Sequence, residues 1–142
     1  MSSGKYTAIT VQTSVKAPKE LVWKYFTAPE HIVNWYHASD DWHTPKASND
    51  LQVGGKFNFR MEAKDGSFGF DFEGVYEQII SNELIEYSLA DDRKVIIEIS
   101  SVADITIVTE TFDTETENPI KVQRSGWQAI LDNFKKYTEA NK

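Results

Sequence analysis

His31, His37 and His43 stand in the first third of the chain, with Asp40 and Asp41 between the last two. Imidazole and carboxylate groups ligate zinc and similar ions, so this segment is the first place to look for metal chemistry. The spacing argues against it, because no His-x-x-x-His pair shares a helix face and the chain has no cysteine. The expectation is no metal and no cofactor. Trp35, Tyr36, His37 and Trp42 suit a different task, forming the lip of a pocket, since loops beside clefts commonly carry binding residues. Other reactive patterns are missing: no serine in a nucleophile elbow, no phosphate-cradling glycine loop, no dinucleotide fingerprint. Glu62, Asp71 and Glu73 fall on strand faces opposite the phenylalanines and are expected to meet solvent, not to act as general acids.

Two sets of residues could hold a ligand. Arg124 lies three residues before Trp127, near the inward stripe of a helix, as does Gln123 one residue earlier. Its guanidinium either snorkels at the helix flank in a salt bridge or grips an acidic or carbonyl group of a ligand with its planar fork. Phe57, Phe59, Phe68, Phe70 and Phe72 are many large rings for one small sheet. They either fill the space beneath that helix or line a hole in it. Tyr76 and Tyr87 carry hydroxyls that need partners when buried, which makes them candidates for ligand hydrogen bonds.

These side chains need elements to place them. Tyr6 to Val15 alternates as a strand, and Ala17-Pro18 then opens a short helix with Leu21, Val22, Tyr25 and Phe26 on its buried face. Pro29 ends that helix and starts a second, to Trp35. Tyr36 to Asp50 reads as loop with a strand at Trp42 to Pro45. Lys56 to Glu62, Ser67 to Ile80, Leu84 to Leu89, Lys94 to Ser101 and Asp104 to Phe112 form a meander, with a bulge expected at Gly74. A connector, Asp113 to Glu117, leads to a long amphipathic helix from an Asn118 N-cap to Tyr137. Its stripe is Trp127, Ile130, Leu131 and Phe134, and Gly126 is expected to mark close backbone approach.

A chain of 142 residues, 40% hydrophobic and 13% aromatic, reads as one domain over 1–142, ordered from about residue 5 to 140. The lack of cysteine suits the cytoplasm, and no segment has the length of a signal peptide or membrane span. A net charge of -7 with scattered lysines disfavours nucleic acid.

Ala17-Pro18, Val22-Trp23, Thr27-Ala28-Pro29-Glu30, Trp35, Gly54-Gly55, Gly66, Gly74-Val75-Tyr76 and Gly126-Trp127 with Leu131 follow one another in a telling order. That series resembles the START-like (SRPBCC) superfamily, and within it the family named from the activator of the heat-shock-protein-90 ATPase. The resemblance covers nearly the whole chain and points to a stand-alone member. It implies an α+β helix-grip fold: a curved antiparallel sheet of six to seven strands around a long C-terminal helix, with two short helices after strand one. It also implies a pocket under that helix. Within that frame the expected ligand residues are Trp35, His37, Phe57, Phe59, Phe70, Phe72, Tyr76, Tyr87, Arg124, Trp127 and Leu131. The expected function is binding of a small apolar or aromatic molecule by a monomer or homodimer, as carrier, sensor or sequestering protein. A chaperone-binding module tied to stress response is the alternative. A cyclase-like or hydrolytic enzyme using the same pocket is a third.

Overall fold

Alternation of apolar and polar side chains fixes the sheet. In β1 (Ala8–Val15) every second residue is buried, beginning with Ile9 and Val11, and in β3 (Lys56–Ala63) the buried set is Phe57, Phe59 and Met61. The computed structural model describes residues 6–142, so residues 1–5 of the domain expected over 1–142 lie outside the described residues. Two short helices follow β1: α1 (Lys19–Thr27), capped by Pro18, and α2 (Pro29–Trp35). Pro29 cannot extend α1 but suits the start of α2, which produces the corner.

The remaining strands are β2 (Trp42–Asn49), β4 (Gly69–Ile80), β5 (Leu84–Ser88), β6 (Lys94–Val102) and β7 (Ile105–Asp113). All pair antiparallel in the order β1-β7-β6-β5-β4-β3-β2, a meander closed by β1 against β7. The sheet curls into a half-barrel with α3 (Ile120–Ala140) in its hollow, the expected α+β helix-grip fold. β2 runs further than the expected Trp42 to Pro45, through Asn49, because its second half pairs with Asn58, Phe59 and Phe57 after a register shift around Pro45.

Three expectations change. The bulge in β4 falls between Tyr76 and Gln78, whereas Gly74 stays in register opposite Phe57. A Cβ on Gly74 would stand 2.8 Å from the Phe57 ring and 2.7 Å from the Ser88 carbonyl, so this glycine makes room for a core aromatic. α3 begins one residue later than expected, with Pro119 as its N-cap, and runs to Ala140. Asn118 instead donates its side-chain amide to Glu115, and Gln123 ties the connector down by accepting from the Glu115 N–H and donating to the Asn118 carbonyl. Gln123 is therefore turned to its own chain.

The C-terminal half of α3 is well seated. Leu131, Phe134 and Thr138 are buried, and the Phe134 ring sits 4.8 Å from Trp35 and 5.1 Å from Phe26. Full burial of Leu131 and Phe134 contributes about 1.5–3 kcal/mol each. Its first turns are less covered, with Ile120 and Val122 exposed.

Candidate ligand-binding site

Beneath the first half of α3 the packing opens. A groove of about 470 Å³ runs between that half, the ends of β3 and β4 and the segment after α2. Its floor and walls are Met61, Phe70, Phe72, Trp127, Ile130 and Tyr36, and its rim carries Arg93, Glu115, Asn118 and Gln123. Trp127 is pinned flat on Phe112, with ring centroids 4.1 Å apart and planes 6° apart, and meets Phe72 edge-on. Gly126 faces this space: a Cβ built there meets nothing within 4 Å. The expected close backbone approach at Gly126 is thus overturned, and the glycine holds the groove open. A larger hollow, about 890 Å³, lies between α2 and the polar face of β2 and β3. There Arg60 pairs with Glu62 and Asp71.

Behind the groove, deeper in the sheet, lies a narrow cavity of about 20 Å³, enough for one water-sized group. Phe57, Phe59, Tyr76, Ile85, Tyr87, Ile97 and Glu110 line it together with residues of α1 and α2, and Tyr36 is the residue shared with the groove. Glu110 is 6% exposed. Its register neighbours are Val11 on β1 and Ile97 on β6, both apolar, and burial alone raises its pKa from 4.5 to about 8. Burial raises the Tyr36 and Tyr87 phenols well above their ordinary value, with the nearby Glu110 adding to both. Tyr76 donates its hydroxyl to Asn49 at 2.6 Å. The large enclosed hollow expected beneath the helix is therefore filled by aromatic rings, and ligand-sized space remains only in the open groove.

Residues 16–139 match the family described as activator of Hsp90 ATPase homolog 1-like protein. The chain belongs to that family. It is similar to an AHSA1-like protein from Aeromonas hydrophila, solved in solution, at 41% identity over 94% of this chain and 93% of that one, with a TM-score of 0.88. A Cytophaga hutchinsonii protein is 53% identical over 94% and 92% of the two chains, with a TM-score of 0.81. A Chromobacterium violaceum protein at 20% identity, covering 94% and 98%, shares the fold with a TM-score of 0.84. Comparison with curated proteins finds no match.

Within this AHSA1-like domain the expected ligand residues divide. Phe70, Phe72 and Trp127 line the groove. Trp35, Phe57, Phe59, Tyr76 and Tyr87 lie deeper, around the small cavity, and Trp35 and Phe57 are 1% and 2% exposed. Leu131 is buried in the helix seat. His37 follows Tyr36 with its Nδ1 buried and unpartnered, and burial, then Lys64, lowers its pKa. Arg124 lies outside both spaces: exposed, it donates to the Thr10 carbonyl of β1 at 3.2 Å. The histidines separate, since His31 bonds Tyr137 and His43 stands 3.8 Å from Glu62. Among the described residues no three metal-ligating side chains converge. Glu110 was missed, yet its signal is in the sequence: Thr106, Val108 and Phe112 share its side of β7, so strand parity alone turns it inward.

Proposed function

We propose that this protein binds a small, largely apolar or aromatic molecule in the groove beneath the first half of α3, as a carrier, sensor or sequestering protein. It would do so in the cytoplasm as a monomer or homodimer. One observation carries the reading: Gly126 faces open space in an aromatic-walled groove of about 470 Å³, within the usual range of small-molecule sites. A glycine in mid-helix costs about 1 kcal/mol against alanine, and here no backbone contact compensates. The groove walls offer rings and a thioether, which suit an apolar or aromatic ligand. No helix among the described residues is long and apolar enough to cross a membrane.

The test uses 2-ethylnaphthalene as probe and tryptophan fluorescence as readout, since Trp127 forms a groove wall. Saturable quenching is expected from the natural protein and none from Gly126→Leu, whose side chain would occupy the groove. That variant should melt at the same temperature or higher, because it gains helix propensity. Unchanged binding by a folded Gly126→Leu protein would remove the groove as the site.

A second reading has its own support. Phe68, exposed by 61%, continues the groove outward from Phe70 and Val122, themselves exposed by 40% and 58%, and the family takes its description from a chaperone ATPase activator. Such a patch suits a protein partner, and Hsp90 is the partner the family description suggests. Binding to that chaperone, abolished by Phe68→Ser with Phe70→Ser, in a protein that takes up no aromatic probe, would favour this second reading.

A further inference from the structure

The small cavity behind Tyr36 has a chemistry that the groove lacks. Its one carboxyl, Glu110, is more than nine-tenths buried, and neither a hydrogen bond nor a cation from the described residues contributes to its state. A buried polar group without a partner is costly, and a carboxyl so placed stays neutral, as an O–H donor. The cavity has room for one small polar group and no more. Tyr36 is the wall between the two spaces, lining both. It stands just past the end of α2, its ring 4.9 Å from Phe59 and 6.0 Å from Phe72, so it is the side chain that a groove ligand must pass to reach the cavity.

We infer that groove and cavity form one divided site, selecting aromatic ketones or similar carbonyl compounds: the rings lie against Trp127 and the carbonyl oxygen reaches past Tyr36 to accept a hydrogen bond from Glu110. The inference rests on the groove reading and narrows its ligand class. A hydroxyl or carbonyl oxygen is the largest group the cavity takes, and a carboxylate is excluded because no cation lines the space. Tyr36, Tyr76 and Tyr87 are the other titratable groups around Glu110, and burial raises all three. Between pH 6 and 9 only Glu110 changes state there, losing its donor proton as pH passes about 8.

The experiment compares 2-acetylnaphthalene with 2-ethylnaphthalene, which differ in the carbonyl oxygen, by tryptophan quenching at pH 6 and pH 9. At pH 6 the natural protein should bind the ketone about five- to tenfold more tightly, the worth of one hydrogen bond. At pH 9 that preference should disappear while hydrocarbon affinity holds. Glu110→Leu, which leaves no buried polar orphan and so is expected to fold, should bind both probes equally at both pH values. Glu110→Gln, which keeps an N–H donor, should prefer the ketone without pH dependence. Equal binding of both probes by the natural protein at pH 6, or a ketone preference that survives in Glu110→Leu, overturns the inference and leaves the groove reading intact. Failure of the hydrocarbon to bind overturns both.

Discussion

Glu110 sits where its strand neighbours, Val11 and Ile97, offer nothing to bond, and that placement has a consequence for stability. In the unfolded chain the carboxyl titrates near its ordinary 4.5, and in the folded protein near 8. Between those values the unfolded state has released the proton and the folded state keeps it, so stability falls as pH rises through this window. The accumulated loss is about 4 to 5 kcal/mol at 1.36 kcal/mol per unit. Glu77, Glu115 and Glu139, held low by Lys94, by the Asn118 N–H and by the Lys16 N–H respectively, act below their ordinary value and outside the window. His37, lowered by burial, works with the opposite sign below its ordinary value but is common to any Glu110 variant. Urea unfolding at pH 5, 6.5 and 8 should therefore show a steep decline for the natural protein. Glu110→Gln should lack that decline, and parallel curves for the two proteins would refute the buried, neutral carboxyl.

At the level of elements, the long helix does two jobs with two faces. One face lies over the core and the groove. Another runs along β1, whose outer edge pairs with no strand among the described residues. Arg124, Gln128, Lys135 and Lys142 donate to the carbonyls of Thr10, Gln12, Ser14 and Lys16, at 2.5 to 3.2 Å, and Glu139 accepts from the Lys16 N–H. Every second residue of β1 points its carbonyl to that edge, and the helix side chains cover it, which blocks strand addition. Arg124 belongs to this row. The sequence placed it three residues before Trp127, and on a helix with about 3.6 residues per turn that spacing leaves it some 60° away, enough to move from groove to edge. Arg124→Ala combined with Gln128→Ala should lower stability by about 1 kcal/mol, since exposed hydrogen bonds are weak. The larger effect should be self-association through the uncovered β1 edge, seen as concentration-dependent mass in sedimentation, with probe affinity unchanged. A double variant that stays monomeric but loses probe binding would return Arg124 to the ligand site.

Across the whole molecule, strand alternation, the Pro18 and Pro29 punctuation and the helix stripe were enough to read the fold, because each is a local pattern with one tertiary solution. The site was less legible. Phe57 and Phe72 look alike in sequence, yet one fills the core and the other lines the groove, because the groove lies at the end of the β3–β4 ladder where Met61 pairs with Phe70, and Phe57, opposite Gly74, lies further along it. Where the groove opens depends on how α3 docks. It rests against β1, α1 and α2, and its seated half carries Leu131, Phe134 and Thr138. Its first half, with no side-chain cap at Pro119 and with Ile120 and Val122 exposed, roofs the groove with fewer contacts. Few buried contacts mean low local stability, so residues 120–130 should exchange backbone amide protons faster than residues 131–140. A ligand that binds only the folded groove stabilises it in proportion to its saturation, by about 2.7 kcal/mol at a concentration one hundred times Kd. Saturating 2-ethylnaphthalene should then slow exchange in residues 120–130 and in Tyr36 to Trp42, while residues 131–140, already held by the aromatic seat, change little. Protection spread evenly along α3 would mean that the probe binds elsewhere and stabilises the fold as a unit, and the divided docking of the helix would not be what creates the site.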